Sequence, residues 1–311
     1  MQIKKLLRAG FRFLADPNYR TLFWIGRGKY NDLSDKEYLQ LLFGANMGYP
    51  LNLENPQTFN EKLQWLKLYD RKPAYTMMAD KYAVRAYIAE KLGEEYLIPL
   101  LGVWDDPEQV DFEALPDRFV LKCNHNSGLG MCICKDKSKL DVEKVKQGLK
   151  KGLQQDYFRP GREWPYKNIK RCIIAEQYME SSADDLPDYK FHCFNGEPKF
   201  VLVCRDRFKA TGLTEDFYSV HWERLPLKRP KLPNAKELSP KPEQLKKMIE
   251  MAKILSKDIP FVRVDFYEIN GKIYFGELTF FPTSGMAPFE PQEWDKTFGD
   301  WIELPKNRRN V

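Results

Sequence analysis

Apolar and polar residues alternate most regularly between residues 261 and 279, in FVRVDFYEI and KIYFGELT on either side of Asn270-Gly271. Period-two alternation flanking two residues that tolerate positive φ predicts a β-hairpin. A second hairpin is predicted from DYKFHCF and EPKFVLVCR around Asn195-Gly196. FVLKC, MCIC, YLIPLLGVW and RCIIAEQ read as further strands. Helical spacing recurs in YLQLLF, TFNEKLQWLKLY, LDVEKVKQGLKKGLQQDY and PEQLKKMIEMAKILSKD. Ser34 and Glu37 stand at capping-box spacing ahead of YLQLLF. Residues 74–92 read as one helix closed by Gly93 in the C-cap role. Residues 224–243, rich in proline and lysine, read as a surface loop.

Composition narrows the picture. With 311 residues, 43% hydrophobic and 14% aromatic, the chain is globular and long enough for two or three packed subdomains. A net charge of +6 argues weakly for anionic ligands and does not call for nucleic acid. Six cysteines show neither CxxC nor zinc spacing and read as buried free thiols of a reducing, cytoplasmic compartment. Three scattered histidines give no HExxH pattern. No apolar run reaches the ~20 residues that span a bilayer. In residues 1–16, Ile3, Leu6, Leu7, Phe11 and Leu14 share a helical face opposite Lys4, Lys5, Arg8 and Arg12. Arg8 and Arg12 interrupt the apolar run, which argues against a cleavable signal peptide. One reading packs this helix on the body of the protein, and another rests it on the anionic inner face of the plasma membrane.

Candidate chemistry lies on the strands. Asp265 and Glu277 sit in apolar strands, where an ionised group needs a partner. Arg263 shares the face of Asp265. The three suit either a magnesium–polyphosphate site or a structural ion network. Lys122 projects from FVLKC before the glycine-containing loop NHNSGLG, which fits phosphate binding or an ordinary hairpin connection. Glu176 to Met179, at a strand end, could line an adenine slot. Lys190 shares a face with His192, and Arg205, Asp206 and Arg207 form a basic strand end suited to an anion or to solvent. Lys81 and Arg85 share a helical face, and Asn60, Glu61 and Lys62 read as an exposed one.

Taken in order, Lys81, FVLKCNHNSG, IIAEQYME, RVDF and GELTF with its small-residue loop resemble the ATP-grasp superfamily over roughly residues 50–290. Within it the chain is similar to the TupA-like family, associated with teichuronopeptide and other surface-polysaccharide synthesis. The resemblance implies an α+β ATP-grasp fold. Its parts would be an N-terminal helical region (1–73), a nucleotide-binding lid subdomain (74–180) and a C-terminal subdomain carrying the magnesium hairpin (181–311). It further implies ATP and Mg2+ as cofactors. Lys81 and Lys122 would contact phosphates under a loop with His125, Ser127 and Gly128. Glu176, Gln177, Tyr178 and Met179 would hold adenine, and Glu180 or Asp184 the ribose. Arg263, Lys190 and Arg205 would serve the reaction, and Asp265, Glu277 and Thr279 the metal. Thr279 departs from the family's usual Asn, which puts a second metal ion in doubt. The implied activity is carboxylate–amine ligation, joining an amino acid to a uronic acid of a surface glycan. A glycan kinase on the same ATP site is an alternative, as is a glycosyltransferase, although no Asp-x-Asp motif supports the last.

Overall fold

A computed structural model describes residues 11–180, 186–206 and 212–306. The N-terminal helices begin at the positions their caps dictate. Asp16 accepts from Tyr19 N ahead of α1 (Pro17–Gly26), while Ser34 and Thr58 form capping boxes with Glu37 and Glu61 ahead of α2 (Asp35–Met47) and α3 (Phe59–Tyr69). Helix α3 departs from expectation. Asn60 and Glu61 are buried, and Lys62 donates to Ile302 O. Asn60 Nδ2 donates to Asp295 Oδ1 (2.8 Å) and Ala287 O (3.2 Å), and its Oδ1 accepts from Ala287 N. The helix is therefore enclosed on its polar face as well, by a C-terminal segment that only long-range folding brings there.

Residues 74–92 form two helices instead of one, α4 (Pro73–Ala79) and α5 (Val84–Lys91). The break has a local cause. Asp80 Oδ1 accepts from the backbone N–H groups of Tyr82 and Ala83, offering them an alternative to the helical ladder, and also from Asn124 Nδ2.

Strands β1 (Leu100–Trp104), β2 (Phe119–Cys123), β3 (Cys132–Cys134) and β4 (Ile173–Gln177) make an antiparallel sheet in the order β1-β4-β2-β3. Its apolar face packs with Leu149 of α6 (Val142–Gln154) into a small core. Close approach fixes the β2–β3 loop to that helix. A Cβ at Gly152 would lie 2.7 Å from both Cys123 Sγ and Leu129 O, so this position has room only for glycine.

The second sheet, in the order β7-β6-β5-β8-β9, is antiparallel throughout. It comprises β5 (Asp188–Phe194), β6 (Glu197–Arg205), β7 (Thr214–Ser219), β8 (Phe261–Ile269) and β9 (Lys272–Thr279). Both predicted hairpins turn at Asn-Gly with positive φ, 50° and 85° at Asn195-Gly196 and 52° and 74° at Asn270-Gly271. Helix α7 (Leu245–Ser256), helix α8 (Glu293–Asp300) and the N-terminal helices share this sheet's apolar core. Phe59 of α3 sits among the rings of Phe194, Phe261, Phe289 and Phe298.

Residues 224–243 are more than a surface loop, since Leu227, Arg229, Ala235 and Ser239 are buried. The described cysteines are free thiols. Among the described residues no helix is long and apolar enough to cross a membrane. Ile3, Leu6 and Leu7 lie outside the described residues. Phe11 and Leu14 are 74% and 77% exposed, so at these two positions the predicted apolar face is not packed on the body.

Candidate active site

The β8–β9 register sets Asp265 opposite Glu277 and Arg263 opposite Thr279. This unbroken register puts Arg263, Asp265, Glu277 and Thr279 on one face, and a bulge follows at Gly276, with Phe266 opposite Phe275. Arg263 donates through Nε to Asp265 Oδ1 (2.7 Å) and through Nη2 to Asp265 Oδ2 (2.7 Å), Glu277 Oε1 (2.8 Å) and Thr279 Oγ1 (3.0 Å). Thr279 Oγ1 in turn donates to Glu277 Oε1 at 3.2 Å. Burial disfavours the charge on Arg263, but Asp265 and Glu277 outweigh it and hold its pKa above the ordinary value. Burial likewise opposes ionisation of Glu277. Lys81, Arg263 and Lys190 overcome it, with help from the Thr279 hydroxyl, and bring the carboxyl down to about 2.

Behind this group, Lys190 of β5 lies 2.5 Å from both Asp188 Oδ2 and Asp265 Oδ2. Lys190, expected to serve the reaction, is buried between two carboxylates. Asp265, expected to face a metal, is 1% exposed, with Oδ1 taken by Arg263 and Oδ2 by Arg263 and Lys190.

The facing wall comes from the first sheet and the α4–α5 break. Lys81 Nζ donates to Asn126 O (2.7 Å) and lies 3.9 Å from Glu277 Oε2. Burial lowers its pKa, against the pull of Glu277. Lys122 Nζ is 2.5 Å from Glu176 Oε2, and Arg85 Nη1 is 3.3 Å from Glu176 Oε1. Glu176 thus bridges two cations at the strand end. Gln177 is exposed, with its N–H bonded to Pro99 O, and Tyr178 and Met179 are half-buried. Glu180 is paired with Arg118 at 2.6 Å in solvent. Asp184 lies outside the described residues.

In the β2–β3 loop, Ser127 and Gly128 are exposed, and Gly128 takes φ 84°. His125 is not part of this exposed tip. It is buried, with Nε2 3.1 Å from Gln155 O. Arg205 does not join the group either. Its Nη2 donates to Glu237 O at 2.7 Å, beside Asp216. Arg207 lies outside the described residues.

One cavity of about 330 Å³ collects Lys81, Ser127, Arg263, Glu277 and Thr279, together with residues the sequence did not single out: Asn126, Tyr157, Glu163, Tyr166 and the turn from Phe281 to Ser284. In that turn Thr283, Ser284 and Gly285 take φ of 51°, 56° and 58°, a left-handed run that costs non-glycine residues energy and persists only where it is held. The holder is Lys67 of α3. Its fully buried ammonium donates to Ser284 O (2.8 Å), Ser284 Oγ (2.9 Å), Gly161 O (2.8 Å) and Gln64 Oε1 (3.0 Å). Gln64 Nε2 completes the clamp on Gly285 O at 2.7 Å. The aromatic cluster EWPY in 163–166, between a lysine-rich helix and a strand, was the available sequence signal. Lys67 gave none, because it looks like one more solvated lysine.

Magnesium is held through one or two carboxylates together with phosphate oxygens and waters. Glu277, 37% exposed at the side chain and lining the cavity, fits one such ion. Asp265 does not fit as placed, and among the described residues no group of three or more His, Cys, Asp or Glu is arranged to hold a metal.

Two antiparallel sheets meet at one cavity, the first through Asn126 and Ser127 of its glycine-containing loop and the second through Arg263, Glu277 and Thr279 of its hairpin, which is the arrangement of an ATP-grasp protein. The sequence matches the family model for TupA-like ATPgrasp over residues 61–303, and the chain belongs to the TupA-like ATP-grasp family. No curated protein matches it. Among solved structures it is similar to a D-alanine-D-alanine ligase from Helicobacter pylori (14% identity, 80% of this chain and 70% of that one, TM-score 0.42). It is also similar to a D-alanine-D-alanine ligase from Bacillus anthracis complexed with ATP (15%, 73% and 63%, 0.41). A RimK domain ATP-grasp protein from Sphaerobacter thermophilus is a third (11%, 75% and 70%, 0.41). Such values mark a distant likeness of shape.

Proposed function

We propose that this chain is an ATP-dependent carboxylate–amine ligase that joins an amino acid to a uronic acid, or a similar carboxylate, of a cell-surface polysaccharide. The observation that carries the ligase reading is the facing of Arg263 and Glu277 by Lys81 across one cavity, with Lys122 and Glu176 alongside. In this reading Lys81 and Lys122 hold the phosphates, with Ser127 and Gly128 closing over them, and adenine lies along Glu176 to Met179. Glu180 or Asp184 meets the ribose. Residues 74–180 would form the nucleotide-binding subdomain and 181–311 the one with the metal hairpin.

Glu277 would hold a magnesium ion, which when bound neutralises phosphate charge. Arg263 stabilises the charge that develops as the phosphoryl group passes to the substrate carboxylate. Lys190 and Asp188 keep Asp265, and through it Arg263, in position. No protein nucleophile is needed. The basic amphipathic segment at 1–16, with Phe11 and Leu14 exposed, would hold the enzyme at the inner face of the membrane that carries its acceptor.

The test is incubation with Mg-ATP, uronic acids and amino acids, following phosphate release and product mass. Amine-dependent phosphate release with an amide product is expected. A stable phosphorylated sugar formed without any amine would replace this reading with a kinase, and release of a nucleotide from a sugar nucleotide would replace it with a glycosyltransferase. Lys122→Met should weaken ATP binding by roughly 10-fold, ~1.4 kcal/mol.

A further inference from the structure

The cavity's lining is chemically mixed. Lys81 and Arg263 supply cations, where phosphate belongs. Tyr157, Glu163 and Tyr166, from the segment between α6 and β4, line the same space with aromatic faces and a carboxylate. Glu163 is only 8% exposed, yet it lines the open space. Among the described residues it forms no ion pair. The neighbouring Lys67 has its protons on Gln64, Gly161 and Ser284, so Glu163 acts on it by charge at a distance and keeps its own oxygens off that ammonium. Tyr157 and Tyr166 stand edge to face, centroids 4.8 Å apart at 80°. Burial, with Glu163 and Glu277 nearby, pushes the Tyr157 phenol up to about 12, so the ring stays neutral. A carboxylate beside aromatic faces attracts a cation by charge and by the ring quadrupole, and it repels a second anion.

This wall is built, not incidental. Arg162 donates to Asn31 O at 2.8 Å and covers the Tyr38 ring at 4.3 Å, and Tyr38 OH donates to Pro160 O at 3.2 Å. With Lys67 on Gly161 O, helices α2 and α3 hold the whole segment against the cavity.

We propose that Tyr157, Glu163 and Tyr166 form the subsite for the ammonium group of the acceptor amine, with Glu163 as its receptor and proton acceptor. The ligand class is a primary ammonium compound. The binding claim stands on the cavity alone, and the chemical step rests on the ligase reading. In that step Glu163 takes one proton from the ammonium, and the freed nitrogen lone pair attacks the acyl-phosphate carbon. The carbon–oxygen bond to phosphate breaks, and phosphate leaves with that electron pair. A second proton passes from nitrogen to the departing phosphate, leaving the amide. Burial raises the affinity of Glu163 for a proton, against the pull of Lys67 and Ser284, in the direction the role requires.

The probe pair is glycinamide and glycolamide, which differ by an ammonium in place of a hydroxyl. In the full-length protein with Mg-ADP, glycinamide should raise the Tm and glycolamide should not, and Glu163→Gln should abolish the response. Equal response to both probes, or none to glycinamide, overturns the subsite. This comparison needs no variant, so it decides the matter even if Glu163→Gln fails to fold. In turnover, Glu163→Gln should raise the KM for the amine at least 10-fold with the ATP KM unchanged, and an unchanged amine KM overturns the assignment. Ammonium binding without any phosphate release overturns the ligase reading and supports the subsite.

Discussion

Glu277 is the carboxylate at which the two roles open to this hairpin can be told apart. Asp265 is buried and saturated by Arg263 and Lys190, whereas Glu277 reaches the cavity with Oε2 near Lys81. Glu277→Gln should therefore abolish magnesium-dependent turnover while circular dichroism stays native. Its stability effect has a definite sign. The folded carboxyl titrates at about 2 against a reference of 4.5, so it contributes stability that is fully present above about 4.5 and is lost as pH falls to about 2. Wild type should exceed Glu277→Gln in Tm at pH 6, and the gap should shrink through that window. A gap that grows on acidification would contradict the depressed pKa. Thr279 has a role of its own, since its hydroxyl accepts from Arg263 and donates to Glu277. A side chain that spends its hydroxyl on the hairpin is poorly free to serve as a metal ligand.

At the level of elements, hairpins read correctly because their determinants are local: alternation sets the face and Asn-Gly sets the turn. The Ser34–Glu37 capping box reads correctly for the same reason. The single helix over residues 74–92 failed because Asp80 competes for the next backbone N–H groups, and that break is what delivers Lys81 to the cavity. Helix α3 shows the opposite case, in which sequence spacing found the helix but not its surroundings. Its start is pressed against α8, where a Cβ on Gly299 would lie 2.2 Å from Gln57 O, 2.7 Å from Thr58 C and 2.8 Å from Phe59 N. These are backbone atoms and cannot swing aside. Gly299→Ala should cost about 3 kcal/mol, the upper end for overpacking, read as a lower urea midpoint with an unchanged m-value. Wild-type stability in this variant would show that α8 can shift.

Across the whole molecule the two sheets rest on separate apolar clusters, a small one under β1–β4 and an extensive one joining β5–β9 to α2, α3, α7 and α8. Amide exchange should thus be faster in β1–β4 than in β5, β6 and β8, and Mg-ATP should slow it at residues 124–130 and 277–285. Uniform protection of both sheets, or no response to nucleotide, would contradict this division. The sequence by itself determined the strands other than β7, the hairpin turns, the Ser34–Glu37 cap and the order of cationic and acidic residues that places the chain in its family. All of these depend on near neighbours in the chain. Tertiary structure alone decided which charges face the cavity. Lys190 and Asp265 stand in the same pattern of alternation as Arg263, yet they are buried against each other, while Lys67, on a helix remote in sequence, fixes a left-handed turn through long-range hydrogen bonds. Which of the hairpin's carboxylates can meet a ligand depends on what folds behind it, and alternation carries no record of that.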